Sequence, residues 1–175
     1  MGPPPPPSSP SDPGRLSAHF TLAELTRSET ALERGLDNTP PPEIVERLRA
    51  TAQQLERVRG LLGGRAIQVT SGYRSPAVNT AVGGSGTSDH MKGYSVDFVC
   101  PSFGTPYDIA SAIRSSAIFD DVDQLIHEFG NWVHISFDPT RRRQALTAHH
   151  VMENGAKTTR YAADIRRVDG NGMLA

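Results

Sequence analysis

The stretch DQLIHEFGNWVHIS, residues 123–136, carries the signature that decides the fold. Two apolar runs, Asp123–Phe129 and Trp132–Phe137, flank the turn-forming pair Gly130-Asn131, which predicts a β-hairpin. Side chains alternate across a strand, so Trp132, His134 and Ser136 share one face, while Val133, Ile135 and Phe137 share the other. The aliphatic set is the core face. His134 therefore points away from the core, between a large aromatic and a small hydroxyl. By the same alternation His127 points opposite Glu128 and reads as structural or surface.

Working outward, Ala66–Thr70 and Ser95–Val99 are further strand candidates. Helical signals surround them. Thr21 and Glu24 form a capping box ahead of a short helix that ends near Gly35. After Pro40–Pro42, apolar residues recur from Ile44 through Leu48, Ala52, Leu55 and Val58 to Leu62 at spacings of three and four. That is an amphipathic helix of about five turns, stopped by Gly63-Gly64. Tyr107–Ser116 also reads as helix. The fold class is α+β: N-terminal helices packed on a small, mainly antiparallel sheet. Beyond Asp138 the pattern weakens, and Thr159-Arg160-Tyr161 reads at most as a short edge element.

The chain has 175 residues, 37% of them hydrophobic, which suits one compact domain. We place that domain at 17–175, behind a Pro/Ser-rich tail at 1–16 whose prolines favour extended polyproline II. The formal net charge of -1 speaks against a nucleic-acid partner. The run Arg141–Arg143 reads as a solvated turn. A single cysteine, Cys100, excludes an internal disulfide, and its apolar context reads as buried and inert. His19 reads as packed at the start of the first helix. No targeting segment and no apolar run of about 20 residues is visible, so no membrane span is expected. A monomer is expected.

The chemistry concentrates in two places. His90 lies in a Gly/Ser-rich loop, and Asp97 lies inside an apolar strand between Val96 and Phe98. A carboxylate there is costly unless something pairs it. With His134 the pair makes a three-ligand zinc site one reading, the fourth position being left for water. Hydrogen-bonded structural residues are the other. His149-His150 falls in the irregular tail and does not converge.

The segment Ser88–Asp97, SDHMKGYSVD, resembles the S-x-H-x-x-G-x-A-x-D motif of the zinc D-Ala-D-Ala carboxypeptidase family of peptidoglycan peptidases. Trp132-Val133-His134 resembles that family's W-x-H motif, and Ser71–Ser75 its S-G-Y-R-S segment. The likeness spans about Phe20 to Tyr161 and is nearest the small phage- and prophage-associated branch, which includes endolysins. It implies Zn2+ held by His90, Asp97 and His134. It implies Arg74 as the group that binds a substrate carboxylate or steadies an oxyanion, with Ser88 and Trp132 near the substrate. Asn79 and Gly83-Gly84 would shape the loop. Ser95 stands where the motif has Ala, a small-for-small change.

The implied activity is hydrolysis of peptidoglycan stem peptides, carboxypeptidase-like by default. Endopeptidase action of the endolysin type is the alternative. Many relatives carry an acid three residues before the last His, and here that position is Asn131. The nearest carboxylate is Glu128, expected to fold over the hairpin as the general base, with Asp123 in reserve. Two further readings follow from the missing acid and the proline-rich start: a non-catalytic zinc-containing wall-binding module, and a structural component of a phage particle. Made in the cytoplasm, the protein would reach the wall by release at lysis or by carriage on a phage.

Overall fold

A computed structural model describes residues 14–175. The expected tail lies almost wholly outside the described residues. On its inner side Leu16 is already buried in the core and Arg15 bridges to Thr21, so packing begins before the boundary set at 16.

The chain runs α1 (Leu22–Thr26), α2 (Glu29–Arg34), α3 (Pro42–Leu61), β1 (Gln68–Ser71), α4 (Pro76–Ala81), β2 (Ser95–Val99) and α5 (Pro106–Arg114). A 3-10 turn at Ala117–Asp121 then leads to β3 (Gln124–Glu128), β4 (Trp132–Ser136), β5 (Gln144–Glu153) and β6 (Ala156–Ala163). The Thr21/Glu24 capping box forms as read. The helix expected to reach Gly35 is broken in two, because Ser28 caps a new start by accepting from Ala31 N. Helix α3 buries Ile44, Leu48, Thr51, Ala52, Leu55 and Val58, the stripe that its spacing predicts. His19 is not packed: it stands half exposed, its Nδ1 2.8 Å from Glu56 Oε2.

The six strands form one sheet in the order β1-β2-β4-β3-β5-β6. All neighbours are antiparallel except β3 and β5. The 123–136 hairpin pairs Leu125 with Ile135 and Ile126 with His134. Its turn needs positive φ at Phe129 and Gly130. The largest departure from the sequence reading is the tail, where β5 and β6 build a long hairpin. Those strands are rich in Thr, His and charged residues and leave one edge in water, so hydrophobic alternation never marks them.

Val96, Phe98, Leu125, Val133 and Ile135 project from one sheet face onto α3 and α5 and form the core with Leu48, Leu55, Ile109 and Ile113. His127 lies on this face, buried, with Nδ1 bonded to Arg166 O. Cys100 is free and fully buried, as its context implied. Among the described residues no helix is long and apolar enough to cross a membrane. The opposite sheet face carries Asp97 and His134, and beside Asp97 it opens into a hollow bordered by Glu24 of α1, Glu29 of α2 and Val78 of α4. Phe98 holds the two faces in register from the middle of the sheet. Its replacement in Phe98→Ala should cost about 3–5 kcal/mol in urea unfolding; a loss under 1 kcal/mol would contradict this packing.

Candidate metal centre

Each ligand is positioned by a different device. Asp97 and His134 sit directly opposite each other in the β2–β4 ladder. Opposed residues bring their Cβ atoms to about 4.5–5.5 Å, so both side chains leave the same face together. His134 Nδ1 lies 2.8 Å from Asp97 Oδ1. His90 arrives from the loop after α4, which is tied back where Arg74 N donates to His90 O. Its Nδ1 donates to Gly72 O at 2.7 Å. Residue 72 has no side chain, which lets its backbone lie against α1: a Cβ there would be 2.2 Å from Leu25 O. Gly84 makes a similar close approach to the buried Asn79 side chain, which donates to Ser85 O and shapes the loop.

The three residues are buried, and one ligand atom from each lies within 4.8 Å of the others. Burial holds the His90 pKa below its ordinary value, so the ring is neutral. Its one proton is spent on Gly72 O, because a carbonyl only accepts. The Nε2 lone pair therefore faces Asp97 Oδ1 at 3.3 Å. Two lone pairs confront each other there, an arrangement that a cation between them resolves. The spacing matches a tetrahedral edge of about 3.3–3.4 Å, which follows from zinc bonds of about 2.0–2.1 Å. The residues present fit a divalent metal.

Burial works against the charge on Asp97. The two histidines outweigh it, His90 first and then His134 through its hydrogen bond, and hold the carboxyl far below the usual range. Burial likewise opposes a proton on His134, yet Asp97 and Glu128 win and raise it. Arg74 secures the second Asp97 oxygen, donating from Nη2 to Oδ2 at 3.0 Å and from Nε to Ser71 Oγ at 3.0 Å. It orients a ligand directly.

Glu128 shares the site's sheet face, opposite Trp132 in the hairpin. Burial first, then the negative charge of Asp97, pushes its carboxyl up to about 7, against the pull of His134 and Arg74. Asn131 does not line either hollow beside the ligands. It faces another hollow, with His127 and Tyr107. Asp123 is engaged elsewhere: Arg142 clamps both its oxygens, from Nε at 3.0 Å to each and from Nη2 and its backbone N–H. The arginine run is thus more than a solvated turn, since Arg142 pins a buried carboxylate. Ser88 accepts from His90 N and lines a hollow of about 400 Å³ with His134, Asp89, Lys92 and Arg142. Trp132 lines a second hollow, of about 860 Å³, with Arg74, Asp97 and Ser71. His149 and His150 sit on the regular strand β5, not in irregular chain, and point to opposite faces.

The buried His–Asp–His trio lies between two open hollows and could hold a metal ion. The chain belongs to the Peptidase M15 family, whose model matches residues 18–136, more than half its length. Family membership implies a metallopeptidase, as the motifs suggested. No curated protein matches the chain.

Two outcomes follow from this geometry. Gly72→Ala forces its segment off the Leu25 backbone and so shifts the carbonyl that anchors His90, which should weaken metal binding by about 10–100-fold in a chelator competition; unchanged affinity would mean the anchor is idle. In the metal-free protein Glu128 has a raised pKa, so folding disfavours its ionised form. Stability is lost as pH rises from the ordinary glutamate pKa of about 4.3 through 7. Glu128→Gln should therefore stabilise the metal-free protein above pH 7, by at most about 3 kcal/mol, and leave it unchanged below pH 4. Thermal unfolding in chelator at both pH values reads this directly.

Proposed function

We propose that this protein is a zinc-dependent peptidase that hydrolyses peptidoglycan stem peptides, with Glu128 as the general base. The observation that carries this reading is the placement of Glu128, a carboxyl on the same sheet face as the His–Asp–His trio. A carboxylate beside the metal is the group that proton transfer from a bound water requires.

His90, Asp97 and His134 would hold the zinc, which lowers the pKa of a water and polarises the scissile carbonyl. Glu128 takes the proton of the attacking water and returns it to the leaving amine. Arg74 keeps Asp97 oriented, and its remaining donors face the hollow where charge develops on the carbonyl oxygen. Trp132 and Ser88 contact the peptide on the two sides of the metal.

The shape of the site favours cleavage inside a peptide over removal of a terminal D-alanine. Hollows open on both sides of the ligands. The cations lining the hollow beside His134 are already paired: Arg142 with Asp123, and Lys92 with Asp89 and Asp138. Action at the cell wall, after release or on a phage particle, belongs to the same proposal.

Purified, zinc-loaded protein incubated with muropeptides should generate new chain ends, and a chelator should stop it. Glu128→Gln should lose at least about 100-fold in kcat while keeping one zinc per chain. His134→Ala should lose the zinc. Muropeptide binding without new ends would support a wall-binding module instead.

A further inference from the structure

Across four strands, Trp132, Glu128, Ala148 and Tyr161 stand directly opposite one another in a single row. Opposed residues share a face, so all four side chains project on the side that carries Asp97 and His134. Ala148 separates Glu128 from Tyr161 and is fully buried, so its flanking neighbours close over it. Two strand spacings, about 10 Å, separate the backbones of Glu128 and Tyr161. Their side chains bridge enough of that gap to interact. The Tyr161 phenol is held above its ordinary pKa by burial first and by the Glu128 charge second.

Tyr161 is nevertheless 59% exposed. Its hydroxyl makes no hydrogen bond among the described residues, and its ring packs on no other aromatic. An aromatic of this size standing open beside a catalytic carboxyl offers a rigid apolar face and a free hydroxyl. It comes from β6, beyond the segment 18–136 that matches the family.

We infer that Tyr161 is a substrate-contacting, specificity-determining residue, which receives the peptide residue on the leaving side of the scissile bond. This rests on the proposed function above. The side follows from the chemistry. Glu128 must return its proton to the leaving amine, so that amine lies next to Glu128. The residue bearing it then meets whatever exposed group follows Glu128 along the row away from the metal, and past the buried Ala148 that is Tyr161. The β5–β6 hairpin is thereby part of the active site.

The test uses the full-length, zinc-loaded protein. The bond cut in purified muropeptides is located by mass spectrometry, and two synthetic peptides spanning it are made, differing only in the residue that carries the leaving amine. Tyr161→Ala should raise KM about tenfold with kcat within about twofold, and should collapse the preference between the two peptides towards one. Tyr161→Phe, which keeps the ring, should retain most of the preference. Zinc content and melting temperature should match the wild type. Unchanged KM and preference in Tyr161→Ala would overturn the inference and leave the proposed function standing. Failure of the wild type to cleave muropeptides, together with failure of zinc-loaded Glu128→Gln to bind them, would overturn both.

Discussion

The buried carboxylate of Asp97 is the constraint around which this protein is arranged. A charged group inside an apolar strand is tolerated only when its partners outweigh the desolvation cost. Here they come from three directions. His134 approaches across the β2–β4 ladder, His90 from the loop above, and Arg74 from the end of β1. Each approach depends on a further backbone feature. The ladder register opposes Asp97 to His134, the Gly72 carbonyl, seated against Leu25 by the missing Cβ, orients His90, and Ser71 braces the Arg74 guanidinium. Helices α3 and α5 complete the frame by packing on the face opposite the trio.

On the trio's face two carboxyl groups are driven in opposite directions. Asp97 is surrounded by histidines and stays ionised, suited to hold a cation. Glu128 is buried with fewer favourable partners and with Asp97's negative charge nearby, so it is pushed to about 7. Environments that split the pKa values of paired acids in this way commonly assign their roles, one as a fixed charge and one as a proton carrier. On the proposed reading, Asn131 in the usual acid position does not leave the site without a base. The function has a candidate three residues earlier in the chain, on the neighbouring strand and on the correct face.

Two features of the periphery bear on the site. Asp123 and Arg142 form a buried-to-surface clamp that fixes the start of β3 to the chain leading into β5. This accounts for an acidic residue that would otherwise compete for the role of base. The β5–β6 hairpin then extends the sheet past the family-matched segment and sets Tyr161 beside Glu128, through a parallel β3–β5 pairing. The sheet edge is thus turned towards the active site.

The sequence by itself determined the α+β class, the long amphipathic helix, the 123–136 hairpin and the His–Asp–His trio that could hold a metal. Each of these is written in local periodicity or in a short motif with residues at defined offsets. It also placed Glu128 and His127 on opposite faces, because strand alternation needs nothing but position. Only the tertiary structure decided the rest. The break between α1 and α2 depends on a single Ser28 cap, and the strands β5 and β6 carry no apolar alternation because the open face and the edge do not demand it. Asp123 could be separated from Glu128 only once Arg142 was seen to close on it from 19 residues away. The row from Trp132 to Tyr161 exists only through strand pairing, since side chains distant in the chain become neighbours by ladder register. Pairing partners of that kind leave no mark in the order of residues along one strand.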